Sequence, residues 1–335
     1  MTQVETVAPV RTGKAPQPSS PPARRKSRWQ RGRILAGLAV LTALPMAGHS
    51  LIPDSGNLGG LVETFLPWSG LLVLALLLAA LLRRSATALV AALLPGVVWL
   101  AMYGGALADG STGKGDLTVV SHNVAAANVD YAGTLKVLKD SGADLIALQE
   151  MESAALAEYR RGLASAYPYY LGGSTTDGLW SKYPIVPGGF VEKDGIQHIG
   201  TAARAVVETP KGRVAVYYGH LDSVRVTPRS GFGADPRNES VKALSAALRS
   251  EPEERVLLMG DLNGSLTDRA FDPLTEQLTS AQETAGQGFG FTFPAAFPMV
   301  RIDHVLSGGK LTATDSWLLP RSGSDHRAVA ASFRF

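Results

Sequence analysis

Residues 255–264 read RVLLMGDLNG, an apolar run that ends abruptly in Asp261 and Asn263. Val, Leu and Met in an unbroken stretch of this length suit a strand buried on both faces. Positions two apart on an extended chain share a face, so Asp261 and Asn263 are expected to point together from the strand end. The same form recurs along the chain. Asn123 closes TVVSHN, Glu150 closes ADLIALQE and His220 closes VYYGH. Asp303 lies in RIDHVL, and Asp325 and His326 lie in GSDH just before the last apolar run. Strand ends are where loops can gather such groups over one mouth of a sheet structure.

Working outward, strand-like runs appear at 117–124, 144–149, 203–208, 213–221, 255–260, 301–306 and 327–334. Apolar residues recur at helical spacing over 129–140, 152–165 and 238–250, with Asp235 and Asn238 as start signals for the last. Several strands alternate polar and apolar residues, and pairs of strands follow one another without a helix between them. That pattern favours an α+β sandwich, two packed sheets with helices outside, over a doubly wound parallel sheet. There is no internal repeat.

The first third of the chain is of another kind. Residues 1–33 hold eight Lys and Arg against Glu5, with many Pro and Ser, and are expected to form a disordered basic tail. Three apolar runs follow at about Ile34–Pro53, Leu61–Leu82 and Ala86–Leu107. Each approaches the ~20 residues that carry a helix across a bilayer core. A cleaved signal peptide is the alternative for the first run, but its basic tail is long and two more runs follow at once. His49 reads as a residue near a span end. Arg83 and Arg84 separate the second and third runs, whereas the loop 54–60 has no Lys or Arg. Basic loops stay in the cytoplasm. The expected organisation is therefore a cytoplasmic tail (1–33), a three-span multi-pass anchor in the cell membrane (34–109), a flexible linker GSTGKG (110–115) and an extracytoplasmic domain (116–335).

The chain carries 32 Lys and Arg against 29 Asp and Glu, a net +3. The tail holds +7 and residues 34–115 are neutral, so the domain from 116 onward is −4. That balance argues against a nucleic-acid partner. The chain has no cysteine, which fits an extracytoplasmic domain.

The gathered groups suit phosphoester hydrolysis, which needs a Lewis acid on the phosphoryl oxygen, a placed water and donors for developing charge. A hard cation, Mg²⁺ or Mn²⁺, needs only one or two carboxylates. Glu150, helped by Asn123 and Asp325, meets that need. Zinc is disfavoured by the lack of cysteine and of a two-histidine ligand motif. Asp303, on another strand, is better placed than the adjacent Asp325 to orient the His326 imidazole. Strand alternation turns His122 and His304 away from Asn123 and Asp303, which makes them structural. For Arg225, Arg229 and Arg237 a solvated loop is the default reading and a clamp on an anionic substrate the alternative.

Read together, Asn123, the Gln149-Glu150 pair, the SKYPI stretch 181–185, His220, the G-D-x-N of 260–263, the I-D of 302–303 and the S-D-H of 324–326 resemble the endonuclease/exonuclease/phosphatase superfamily. The resemblance covers about 118–335. It implies a DNase I-like four-layer α/β/β/α sandwich and a divalent-metal-dependent phosphoesterase. It further implies Asn123 and Glu150 at the metal, Asp325 near it or a second ion, His220 on the phosphate, Asp261 and Asn263 at the nucleophile, and Asp303 paired with His326. Three spans, the basic proline-rich tail and an external hydrolase domain also resemble the VanJ-type teicoplanin-resistance membrane proteins of actinobacteria. That resemblance implies a role in lipoglycopeptide resistance, acting on a lipid-linked phosphate or pyrophosphate of the cell envelope; the sequence itself points to no protein partner. An anchored extracellular nuclease or phosphodiesterase, and an inactive binding protein of the same fold, are the rival readings.

Overall fold

A computed structural model describes residues 27–172, 176–193, 196–197, 202–227 and 231–335. Most of the expected disordered tail, residues 1–26, lies outside the described residues. So does Arg229.

The apolar third folds as a helical bundle. Helix α1 spans Arg33–Ala47, α2 Leu58–Phe65, α3 Ser69–Leu82 and α4 Ala86–Tyr103. From Ser55 to Leu82 the chain is a 28-residue helical stretch, and Ala86–Leu107 is one of 22 residues; both are long and apolar enough to cross a membrane by length and composition. The first run differs from expectation. Its helix is 15 residues, with Pro45 inside, and the chain then turns through a short 3-10 segment at His49–Leu51. Fifteen residues rise about 22 Å, short of the hydrocarbon core. The Ser85 side chain caps α4 by accepting from Ala88 N–H at 3.1 Å, and its hydroxyl donates to Arg31 O at 2.6 Å. Arg31, Arg33, Arg83 and Arg84 thereby gather at one end of the bundle, where α1 and α4 begin and α3 ends.

The part from residue 116 onward contains, among the described residues, two six-stranded sheets. In chain order their strands are β1 Leu117–Asn123, β2 Leu145–Gln149, β3 Tyr169–Gly172, β4 Gly178–Ser181, β5 Ile185–Phe190, β6 Ala202–Thr209, β7 Gly212–His220, β8 Arg255–Asp261, β9 Thr279–Ser280, β10 Asp303–Gly309, β11 Thr312–Leu318 and β12 Val329–Arg334. One sheet runs β11-β12-β1-β2-β4-β3 and the other β9-β10-β8-β7-β6-β5. Each is antiparallel except for one central parallel pair, β1 with β2 and β7 with β8. A parallel pair needs a crossover, and a helix supplies it in both sheets: α5 Tyr131–Asp140 in the first and α7 Asp235–Arg249 in the second.

Those crossovers set the layers. Val119, Ala147 and Ala331 of one sheet pack against Val216, Leu257 and Met259 of the other to form the central core. On the outer face of the first sheet, Ile146 and Leu148 meet Leu138 of α5 and Tyr159 of α6 (Ser153–Leu163). On the outer face of the second, Tyr217 and Leu258 meet Val241 and Leu244 of α7. The result is a two-sheet α+β sandwich with helices on both outer faces.

Residues 110–115 depart from the expected free linker. Thr112 N–H donates to Thr314 O at 2.8 Å and Asp116 N–H to Phe333 O at 2.6 Å. The segment lies along β11, an edge strand whose open carbonyls would otherwise have only water. A Cβ on Gly115 would meet Phe333 O at 2.4 Å, so the close approach requires glycine there.

Candidate active site

Parallel pairing brings strand C-termini to one side. Asn123 of β1 is in register with Gln149 of β2, which puts Glu150 just beyond it. Asp261 of β8 is in register with His220 of β7 and with Asp303 at the start of antiparallel β10. Packing the two sheets face to face then sets both groups over one mouth.

Close approach is built into the backbone here. A Cβ on Gly260 would meet Gly219 O at 2.0 Å, so only glycine lets β8 lie against β7 immediately before Asp261. Ala125, Glu150 and Asn263 all hold positive φ (60°, 57° and 50°), three of the five such non-glycine residues among those described. Strain of this kind persists where surrounding structure over-determines it. It also corrects one expectation: Asn263 reaches its neighbours from a turn, with its N–H on Asp261 Oδ1 at 2.9 Å, and not by strand alternation.

The side chains converge as follows. Asn123 Nδ2 donates to Glu150 Oε1 at 3.0 Å and to Asp261 Oδ2 at 2.9 Å, while its oxygen accepts from Ala125 N–H. His220 Nε2 lies 3.6 Å from Glu150 Oε1 and 3.7 Å from Asp261 Oδ2. Asn263 Nδ2 faces His220 Nε2 at 2.8 Å and donates to Leu221 O at 2.9 Å. His326 Nδ1 lies 2.9 Å from Asp303 Oδ2 and 3.7 Å from Asp261 Oδ2. Asp325 stands apart: it is exposed and belongs to neither of the two carboxylate-imidazole clusters, and reaches the site as a charge felt by His326.

Burial decides the charges. It pushes the Asp261 carboxyl up to about 6, and the nearby Asp303 charge adds to the rise. Burial also opposes charge on His326, but Asp303 in contact with it, and Asp261 and Asp325 beyond, outweigh that and hold the imidazole up to about 9. His326 is therefore an imidazolium at neutral pH, and Asp303 is held below the usual carboxylate range by it despite full burial. The other two buried imidazoles are the reverse case. Burial takes His122 down to about 4 and His304 to about 3; each is neutral and bonded to structure, His122 facing Ser322 Oγ and His304 facing Gly264 O.

Among the described residues, two groups could hold a divalent cation: Glu150 with His220 and Asp261, and Asp261 with Asp303 and His326, the ligand atoms of each lying within 4.8 Å of one another. The donor set fits a hard ion. Carboxylate oxygens dominate the first group, and Asp261 sits there with its charge only partly compensated.

Three further residues support the site; Ser324 belongs to the S-D-H motif but was given no role from the sequence, and Thr292 and Phe293 carried no signal there. Ser324 donates to Asn123 O at 2.7 Å and accepts from His326 N–H at 3.0 Å, which ties the last loop to β1. Thr292 Oγ1 accepts from Ile302 N–H and Asp303 N–H. The Phe293 ring lies 4.8 Å from the His326 ring. Serine, threonine and phenylalanine in loops have too many ordinary uses to stand out. Arg237 is neither a solvated loop residue nor a clamp, but a buried structural cation on Asp268 at 2.7 Å with its guanidinium over Phe271. Arg225 is exposed.

Residues 120–326 match the family model described as Endonuclease/Exonuclease/phosphatase family. The chain belongs to this family. Its members, as the name says, cut phosphoester bonds, and the carboxylate-imidazole mouth is competent for that chemistry. Solved structures of like fold include D. rerio TDP2 complexed with single strand DNA product (18% identity, TM-score 0.56, covering 65% of this chain and 99% of that one). Others are truncated Caenorhabditis elegans TDP2 (19%, 0.54, 65% and 96%) and an endonuclease/exonuclease/phosphatase from Bacteroides vulgatus (16%, 0.51, 65% and 98%). At these identities the likeness is one of fold. No curated protein matches the chain in sequence.

Proposed function

We propose that this family member is a membrane-anchored, Mg²⁺- or Mn²⁺-dependent phosphoester hydrolase acting outside the cytoplasm on a lipid-linked phosphate or pyrophosphate. The observation that carries the reading is where the helical bundle touches the sandwich. It docks on the loops that flank the site-bearing strand ends. Arg269, eight residues after Asp261, places its guanidinium on Glu63 Oε1 at 2.8 Å and on His49 O at 2.8 Å. His49 Nδ1 lies 2.8 Å from the same Glu63 oxygen, Trp68 Nε1 donates to Met299 O at 2.8 Å, and Asn57 Nδ2 donates to Phe232 O at 2.8 Å. If α3 and α4 span a bilayer, the mouth sits at its surface, where tethering raises the effective concentration of lipid head groups. Arginines at the far end of the bundle support a cytoplasmic N-terminus and an external domain.

A cation held by Glu150 and Asp261, which Asn123 bridges, would supply Lewis acidity to a phosphoryl oxygen. The chain's own groups do the rest. Asp261, fixed by Asn263 N–H, orients a water and accepts its proton. The His326 imidazolium, held by Asp303, donates to an oxygen that gains charge, and His220 with Asn263 fixes a non-bridging oxygen. The architectural resemblance to VanJ-type proteins extends the proposal to a role in teicoplanin resistance. The −4 charge of the domain disfavours the nuclease reading.

The test uses the full chain in phosphatidylcholine bilayer discs, offered undecaprenyl phosphate, undecaprenyl pyrophosphate and plasmid DNA with Mg²⁺ or Mn²⁺. Phosphate release from a lipid, lost in chelator and lowered at least about 10³-fold in Glu150→Ala and in His326→Ala, is expected. Glu150→Ala should keep the melting temperature of the metal-free parent, whereas His326→Ala, which strands the buried Asp303 charge, should melt lower yet remain folded at the assay temperature. Cleavage of DNA alone, or full turnover in chelator, overturns the reading.

A further inference from the structure

An apolar cavity of about 430 Å³ opens between α3 and α4, lined by Leu71, Leu74, Trp99 and Leu100 of the helices and by Phe289 and Phe291 of the sandwich. Resting on the lipid-phosphate reading above, we infer that this cleft seats the hydrocarbon chain of the substrate and leads its phosphate to His326.

The cleft is not an ordinary gap between membrane helices, because the hydrolase domain closes one end of it. Phe289 and Phe291 project from the loop before β10; their rings stack at 5.2 Å, and Phe291 in turn stacks on Trp68 at 5.6 Å. Trp99 and Tyr103 meet Phe289 edge-on at 6.1 and 5.9 Å. Two residues further along the same loop, Phe293 lies against His326. One loop thus joins the apolar cleft to the imidazolium end of the site.

A neighbouring cavity of about 340 Å³ shares Pro67, Phe289 and Phe291 with the first but adds Ser265, Thr267 and Arg301, so polarity rises on the side toward the Asn263 loop. An alkyl or prenyl chain with an anionic head matches that order. A peptide helix would bring backbone and side-chain breadth that a cleft floored by stacked rings does not match, and a soluble phosphate would leave the cleft without an occupant. Leu71, Leu74 and Leu100 are more than half exposed, so the cleft is open along its length to whatever surrounds the helices. At membrane depth that surrounding is hydrocarbon. Burying methylenes of a chain against aromatic rings stabilises the bound state in proportion to chain length.

The experiment uses the full chain in phosphatidylcholine discs with ethyl, hexyl and dodecyl phosphate as probes. In the parent protein kcat/KM should rise at least about tenfold from the shortest to the longest probe. Leu100→Trp, which fills the cleft, should abolish that rise, whereas Leu72→Trp on the outer face of α3 should keep it. Independently of turnover, a photoreactive diazirine-tagged dodecyl phosphate should label Trp99, Leu100 and Phe289, and excess dodecyl phosphate should suppress the labelling. A rise that survives in Leu100→Trp, or labelling confined to outward residues such as Leu72 and Leu78, overturns the inference and leaves the hydrolase reading standing. Labelling of the cleft without release from any probe overturns the hydrolase reading instead.

Discussion

Asp261 shows how one buried side chain organises the mouth. It accepts from Asn123 and from Asn263 N–H, lies 3.7 Å from two imidazoles, and faces Asp303 across the β8-β10 pair. A carboxylate taken out of water needs such partners, and a divalent cation would complete them. Of the residues singled out from sequence, Asn123, Glu150, His220, Asp261, Asn263, Asp303 and His326 converge, because each is acidic, amide or imidazole at the end of an apolar run. Asp325 does not join them, since its neighbour His326 takes the inward place and adjacent residues face apart. Ser324 stood in the S-D-H motif, but its role was illegible because it lies in two backbone contacts. Ser324→Ala leaves Asn123 O and His326 N–H without that partner and should slow phosphate release about 10–100-fold while the protein remains folded. Steady-state kinetics with a matching circular-dichroism melt checks it; an unchanged rate would show that the loop holds His326 without the serine.

At the scale of elements, the long central strands were readable because their apolar runs are buried on both faces. The strands that sequence reading passed over are short, glycine-bearing or at edges. Gly178–Ser181 has four residues, Ile185–Phe190 contains Pro187 and a bulge, and Thr312–Leu318 is only half buried. Their pairing comes from neighbours, which propensity does not encode. The crossover helix α7 is held at its start by Arg237 on Asp268, both buried. Arg237→Ala strands the Asp268 charge and should cost about 3–5 kcal/mol, read as a shift in urea midpoint. Farther along, Glu251 takes two bonds from Arg204 at 2.7 Å each and one from Tyr217 OH at 2.7 Å. Burial works against its ionised form, yet these partners outweigh it and hold the carboxyl below its ordinary value of 4.5. The folded state thus binds that proton less readily than the unfolded chain. The stabilisation is present above pH 4.5 and is lost as pH falls through the lowered value. The melting temperature of the parent should accordingly fall more steeply below pH 4.5 than that of Glu251→Gln; parallel curves would refute a stabilising role for the ion pair.

Across the whole molecule, the feature of consequence is the contact between bundle and sandwich through Glu63, Arg269, Trp68 and the Phe289–Phe291 loop. If the bundle spans the membrane as proposed, reporter fusions after Arg84 and after Gly115 should give opposite sides, cytoplasmic and external; signals from the same side would remove the tethered-site reading. The sequence by itself determined the two-part organisation, the central strands and the chemical identity of the polar groups at their ends. These follow from local patterns: run length, periodicity and charge. Only the tertiary structure decided that Asn123 bridges Glu150 to Asp261, that His326 is charged while His122 and His304 are neutral, that the linker lies along an edge strand, that Arg237 and Asp268 are a buried pair, and that buried Glu63 meets Arg269. Each of these depends on which distant segments share a low-dielectric neighbourhood, and no pattern within a single run of residues carries that information.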